Sequence, residues 1–501
     1  MRHPFETTRL RHTEASRRGV LALLLLSLLY LQGCAVNPAT GERELSFVSE
    51  AQEIQMGRQA DPSATAQFGG GYPDEDLQNY VTELGMTIAA NSERPDLPWS
   101  FKLVDHELIN AFALPGGYIY ITRGILANMN SEAELVAVLG HEVGHVTARH
   151  AARRITQQQL GMIGFIGGAI LSETVRANSD AFMQAFQLLS LRYSRQDEAQ
   201  ADELGYRYML RTTHDPAGMT AVMRMLQSTS PSAEEMGVPG WMLSHPNPGD
   251  RVAANEQRIA RSQQSFSDYR LGRDEFLARL DGLVFGEDPR QGYFIGRRFI
   301  QPELGLELTF PTDWATQNNS QSVQAGAPGR DAVMQLSFAE AASPQAALSA
   351  FLQQPGITAN QSDRQTLNSL DVAWADFSVN PPEGQQGDPV RGYVLYAAKD
   401  GNVYQILGYT LAARWDGNGR VLAESIMSFR PLSDDRYRDV APHRLNLVRL
   451  PEAMSARDFL RRYPSTVEDQ AVLLANQVGE DERLERGRVM KQITGGRVPD
   501  R

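Results

Sequence analysis

Cysteine is almost missing: the 501-residue chain has one, Cys34. A lone thiol forms no internal disulfide, and a body without further cysteines suits an oxidising compartment where stray thiols are a hazard. Positive charge is also short, with 48 lysines and arginines against 60 aspartates and glutamates, a formal net charge of −12. No basic cluster lies beyond the N-terminus, which excludes nucleic acid as a partner, because a phosphate backbone needs a concentrated basic surface. Long apolar runs are lacking as well. "VLALLLLSLLYL", Val20 to Leu31, and the glycine-rich "LGMIGFIGGAIL", Leu160 to Leu171, both fall short of the ~20 residues that cross a bilayer. The second run reads as a buried or lid-like helix. Helical-repeat periodicity is absent too, and the length points to two or three domains.

What is present begins with an address. Arg2, Arg9, Arg11, Arg17 and Arg18 precede the first apolar run, the pattern of a secretory signal peptide. The run meets "LQGC", Leu31 to Cys34, which resembles a bacterial lipobox despite Gln32, unusual at its place in that pattern. The resemblance implies removal of residues 1–33 and lipidation of Cys34. The removed segment carries five arginines against Glu6 and Glu14, so a formal charge of −12 becomes −15 in the mature chain. Ala35 and Val36 follow, with no aspartate, which by the lipoprotein sorting pattern implies the periplasmic face of the outer membrane.

Residues 34–285 read as mainly helical with one strand-rich interruption. In "AFALPGGYIYITRGIL", Ala111 to Leu126, a Pro-Gly-Gly turn precedes the β-branched and aromatic stretch Tyr118 to Thr122, a strand signal. Ser131 and Glu134 predict a capping box for a helix running on through Ile155. A further helix is expected from Ala181. Near "FGEDPRQG", Phe285 to Gly292, the composition shifts to alternating stretches between Gly, Pro, Asn and Asp clusters. Residues 290–435 therefore read as an α/β or β-rich domain with a helix at "SPQAALSAFLQQ". Residues 442–497 read as strand, helix, helix, strand. The fold class is α+β.

The chemistry concentrates in "AVLGHEVGHVTARH", Ala137 to His150. On a helix, His141 and His145 share a face and can reach one metal ion, while Glu142 can poise over a bound water. Two nitrogen ligands, a third protein ligand and an open position make a zinc hydrolase site, where the water pKa falls to about 7 and the carboxylate shuttles the proton. The motif is short enough to arise by chance, so a third ligand decides the case. His150, five residues past His145 on a continuous helix, is rotated off the face. Ala148 and Ala151 exclude the metzincin pattern. Glu173 fits a shorter spacing. The better candidate is Glu198 in "SRQDEAQAD", one turn before Asp202, which could hold a zinc histidine through its second nitrogen. The plain alternative for that pair is a solvated charged face.

"NAFALPGGYIYITRGIL", "HEVGHVTARH" and "SRQDEAQAD" with Gly205, in this order, resemble the zinc metallopeptidase family of the CAAX prenyl endopeptidase, HtpX and BepA. The resemblance implies a zincin-type (gluzincin) fold with a small edge-strand sheet and one Zn2+ per chain. It implies His141, His145 and Glu198 as ligands, Glu142 as base and Asp202 behind a ligand. It also implies that the strand after "LPGG", with Gly116, Gly117 and Tyr118, borders the cleft and takes up an extended peptide. Gln200 replaces a glutamate often found in the third motif, and no tetratricopeptide tail follows. "SHPNPGDR", Ser244 to Arg251, resembles the histidine-bearing loop of the periplasmic branch. His245 could close the open zinc position as a gate, stabilise the oxyanion, or simply be exposed.

In the C-terminal half, "GLELTFPTDW", Gly305 to Trp314, resembles PsbP-type modules, against the plainer reading of a spacer. The end resembles a diverged LysM module without its usual opening, which implies peptidoglycan as a partner. The expected function is a zinc endopeptidase (hydrolase) acting on misfolded or unassembled envelope polypeptides. Two other classes compete with it: a chaperone-like scaffold lipoprotein with a latched zinc site, and a peptidoglycan-binding structural lipoprotein.

Overall fold

The computed structural model describes residues 34–166, 193–229, 245, 248–319, 322–380 and 388–499. The signal peptide 1–33, Glu173, the end of the apolar run and the helix expected from Ala181 lie outside the described residues.

The helix that carries the histidine motif, Glu132–Thr147, is buried along its whole length, which is why its sequence is apolar on every side. Ser131 caps it by accepting from the Glu134 N–H. The expected capping box closes differently. The Glu134 carboxylate accepts from the Ser131 hydroxyl at 2.9 Å through one oxygen, and through the other from the Asn130 N–H at 3.0 Å and from Gln477 Nε2 at 2.6 Å, so it bonds the backbone one residue before the cap rather than the cap's own N–H. The helix also stops sooner than Ile155. Arg149 takes φ 57, ion-paired to Glu53 and donating to the Val48 carbonyl at 2.6 Å, and a separate helix starts at His150–Ile166.

Three strands flank this helix: β3 (Ser100–Val104), β4 (Ala111–Leu114) and β5 (Tyr118–Thr122). β5 is central, parallel to β3 and antiparallel to β4. The β4–β5 turn needs glycine: Gly116 has φ 82, and a side chain there would meet Ile54 Cα at 2.6 Å. The helix Arg195–Arg211, with a Ser194–Asp197 capping box, lies against the motif helix at glycines. A Cβ on Gly144 would stand 3.0 Å from the Ala201 carbonyl oxygen, and one on Gly205 would stand 3.1 Å from the His141 nitrogen.

Beyond residue 290 the chain is β-rich. Seven antiparallel strands between Ala315 and Leu411 form one sheet. Its strands alternate: Val372, Leu395 and Ile406 pack in one core, Ala373, Val394 and Val403 in another. The expected helix, Pro344–Leu352, covers the second face; the first is covered by Trp415–Ile426, which composition did not flag because Gly417 and Gly419 interrupt it.

Residues 441–497 run strand, helix, helix, strand, as the sequence suggests, with Ala441–Arg449 antiparallel to Val489–Arg497. This unit is not free-standing. Leu445, Phe459, Met490 and Ile493 share one core with Leu135, Val138 and Ile121, and Val284–Phe285 pairs with its first strand. Its polar groups grip the lead-in to the motif helix. Lys491 Nζ, fully buried, donates to the carbonyls of Ala127, Met129 and Ala475 at 2.7, 2.5 and 3.1 Å. Gln477 reaches the Asn128 carbonyl at 2.8 Å, and Asn130 the Ala475 carbonyl at 3.0 Å.

Burial brings Lys491 down to about 7, with Arg273 pulling the same way and Glu134 opposing. The unfolded chain, with an ordinary lysine near 10.4, therefore holds more protons than the folded one between about pH 7 and 10, and stability rises with pH across that window. Urea unfolding at pH 7 and 9.5 should show this rise in the native chain and its loss in Lys491→Met.

Candidate metal centre

The close contact at Gly144 and Gly205 sets the acidic first turn of Arg195–Arg211 beside the histidine face of the motif helix. His141 Nε2 and His145 Nε2 stand 3.0 Å apart. Glu198 Oε1 lies 3.4 Å from His145 Nε2, and Glu198 Oε2 lies 3.5 Å from His141 Nε2. His245 Nδ1 completes the group at 3.0 Å from Glu198 Oε1 and 3.3 Å from His141 Nε2. All four side chains are buried. A zinc tetrahedron with ligands at ~2.0–2.1 Å has edges of about 3.3 Å, and these separations scatter around that value.

The outer nitrogens explain why the inner ones face each other. His141 Nδ1 lies 2.9 Å from Asp202 Oδ1, so it donates there and its Nε2 lone pair points inward. His145 Nδ1 lies 2.8 Å from His150 Nδ1, and His150 Nε2 lies 2.8 Å from Gln200 Oε1, which as a donor to the amide oxygen leaves His150 Nδ1 to accept from His145. Two imidazole lone pairs at 3.0 Å repel unless a cation lies between them. Charge says the same. Glu142, Glu198 and Asp202 are answered by one guanidinium, Arg251, which is bidentate to Asp202 at 2.8 and 2.6 Å and reaches Glu198 Oε2 at 2.9 Å. Burial and Arg251 push His141 down, yet its hydrogen bonds to the Asp202 and Glu198 carboxylates outweigh them and raise it to about 9, because the surplus negative charge favours a cation there. Burial takes His145 well below its ordinary value and His150 to about 4. For Glu198, burial acts upward but His245 and Arg251 hold the carboxyl well below the usual range.

Glu142 is different. Fully buried, it has no hydrogen-bond partner for either carboxylate oxygen among the described residues, and its nearest charge partner is His245 Nε2 at 3.6 Å. Burial raises its pKa. A carboxylate orphaned beside four converging donors is what a metal with a reacting water would satisfy, so the residues fit zinc.

The structure thus brings together His141, Glu142, His145, Glu198, Asp202 and His245. It does not bring Gly116, Gly117 and Tyr118 to a free edge: β5 is paired on both sides, so it cannot accept an added strand. The strand that leads into the turn, and Gly116 of the turn itself, line the site. Ala113 and Leu114 of β4 share a pocket with His145, Val146 and Tyr193, and β4 has no partner on its other side among the described residues. Two residues, Tyr193 and Arg251, carry no role in the sequence, and a third, His150, is set aside there as a ligand. His150 reaches His145 because the helix breaks at Arg149. Tyr193 stacks on His145 with ring centroids 3.9 Å apart. Arg251 stood in the quoted loop, and the carboxylate surplus was the signal that a cation was still needed.

The segment 75–259 matches the model of Peptidase family M48. The chain is 26% identical over 469 residues to the beta-barrel assembly-enhancing protease of Escherichia coli (strain K12), covering 79% of this chain and 92% of that one. It is 29% identical over 233 residues to the protein of the same name from Yersinia pestis, covering 44% and 46%. To the mitochondrial metalloendopeptidase OMA1 of Schizosaccharomyces pombe it is 29% identical over 232 residues, covering 45% and 66%. Among solved structures, a cyanobacterial PsbP from Synechocystis covers 28% of this chain and 94% of that chain at 13% identity and a TM-score of 0.23.

Asp202→Ala and His150→Ala should each weaken zinc affinity by about 10- to 100-fold, read by competition with a chromophoric chelator, with Asp202→Asn losing less than Asp202→Ala. The histidine motif helix, the glutamate helix packed on it and the four-donor group they build all fall within residues 75–259, the segment that matches Peptidase family M48, and it is through this segment that the chain is similar to the beta-barrel assembly-enhancing protease and to OMA1.

Proposed function

We propose that the chain is a zinc endopeptidase of the bacterial envelope that cuts misfolded or unassembled envelope polypeptides. The observation that carries the chemistry is the orphaned, fully buried Glu142 carboxylate beside His141, His145 and Glu198. Those three side chains would hold the metal. Zinc there supplies Lewis-acid polarisation of the scissile carbonyl and acidifies the attacking water. Glu142 takes the water's proton on a carboxylate oxygen and passes it to the leaving amine. Asp202 keeps the His141 Nε2 lone pair inward, His150 does the same for His145, and Arg251 restrains both Asp202 and Glu198. An extended substrate lies antiparallel along the unpaired edge of β4, where main-chain hydrogen bonds hold it irrespective of side chains, as suits a protease for non-native chains. The domain division 34–285, 290–435 and 442–497, the gluzincin assignment and the LysM-like unit belong to the same reading.

The relatives named for enhancing β-barrel assembly support unassembled barrel strands as the substrate class. Lipidation at Cys34 and residence at the periplasmic face of the outer membrane complete the placement, with peptidoglycan as a ligand of residues 442–497. The unit's embedding in the protease core makes support of the motif helix its first role and glycan binding a second.

A latched resting state has its own observation. His245 is fully buried, with one ring nitrogen 3.0 Å from Glu198 and the other 3.6 Å from Glu142, where it fills the position that a substrate carbonyl needs. With the soluble chain from Ala35, Glu142→Gln should retain about one zinc and lose casein hydrolysis by about 10³-fold or more, whereas His245→Ala should cleave faster than the native chain. Zinc without cleavage in every variant would favour the scaffold reading.

A further inference from the structure

Immediately after Cys34 the chain forms a hairpin, β1 (Cys34–Val36) with β2 (Arg43–Leu45). The register pairs Cys34 with Leu45 and Val36 with Arg43, so Val36, Arg43 and Leu45 share one face and Glu44 lies on the other. The two faces differ in kind. Glu44 turns inward to Asn37 Nδ2 at 3.0 Å and to Arg153 at 3.6 Å. On the outer face Val36 is 54% and Leu45 40% exposed, with Arg43 exposed between them, and Phe47, two residues past β2, is 44% exposed. Three large apolar side chains in water within a dozen residues need an occupant.

The hairpin is also bolted to the catalytic scaffold. The buried Asn37 donates to the carbonyl of Ala148, the residue that ends the motif helix, at 3.2 Å. The Phe47 N–H donates to Thr156 Oγ1 at 3.0 Å. Whatever the outer face touches therefore sets the attitude of the metal centre.

We propose that this face is a bilayer-contact surface: Val36, Leu45 and Phe47 enter the lipid interface beside the acylated Cys34, with Arg43 at the headgroup phosphates. The inference rests on the lipidation reading and deepens it. Leu45 is the register partner of the acylated position and Val36 lies two residues beyond it, so the exposed apolar residues adjoin the point of lipidation, which a second copy or a protein partner would not require. Acyl chains alone leave a protein free to swivel; an apolar patch beside them adds a second point of attachment. The metal centre would then work at a set height and tilt over the membrane, favouring polypeptide segments that emerge at its surface.

The test uses the full chain, processed in cells and reconstituted in phosphatidylethanolamine–phosphatidylglycerol vesicles. Cys34 is the only native thiol, so with lipid on it Leu45→Cys, Phe47→Cys and, as a control on the β-rich part, Met427→Cys each offer one site for an environment-sensitive fluorophore. Labels at 45 and 47 should shift to the blue and lose most of their emission to nitroxide-bearing lipids, while the label at 427 stays aqueous. Aqueous labels at 45 and 47 on protein that floats with the vesicles would overturn the contact and leave lipidation standing. Shielded labels that nitroxide lipids fail to quench would reveal a protein neighbour and overturn it as well. Protein that does not float, and whose Cys34 takes the label, would remove the lipidation reading and this inference together.

Discussion

Everything in the catalytic half depends on how closely two helices approach. Glycine at 144 and 205 lets the backbone of Arg195–Arg211 touch that of the motif helix, and only at that distance do Glu198 and Asp202 reach the imidazoles. The contact puts three carboxylates into a site closed to water with one guanidinium to answer them. Such an arrangement is unfavourable alone and becomes favourable around a divalent cation, so a packing constraint on two glycines is converted into a demand for metal. The same approach fixes the direction of each ring. With both outer nitrogens engaged, neither histidine can turn its lone pair away.

Around this pair the chain builds supports that act at both ends of the motif helix. At the N-terminal end, Lys491, Gln477 and the Ala475 carbonyl take up the polar groups of residues 127–134. At the C-terminal end, Arg149 in a left-handed conformation breaks the helix, and Glu53 ties Arg94 at 2.9 Å to the same corner, where Arg94 also donates to the Val146 carbonyl at 2.9 Å. The break turns His150 back onto His145. A helix clamped at both ends holds its side chains to within the tolerances that a metal site needs.

The β-rich part is built on another principle. The inner strands Leu370–Val379 and Val390–Lys399 are covered by helices on both faces, so they alternate between two apolar sets rather than between apolar and polar. That alternation is why "DVAWADFSV" reads as a strand from sequence alone, and why the helix Trp415–Ile426 does not read as one: its glycines lower local helix propensity, and packing on Leu395 and Ile406 compensates.

By itself the sequence determined the motif helix with its cap residue, the candidate donors His141, His145 and Glu198, the switch to a β-rich half and the strand, helix, helix, strand order of the end, because these follow from local periodicity, capping and spacing along one chain. Only the tertiary structure decided that β5 is central and β4 the open strand, since strand order depends on pairing between distant segments. It likewise decided that His150 reaches His145, that Arg251 reaches Glu198 and Asp202, and that the C-terminal unit shares the core of the motif helix. A helix broken by one left-handed residue and a lysine buried against carbonyls more than 360 residues away leave no periodic trace; they exist only once the chain has closed on itself.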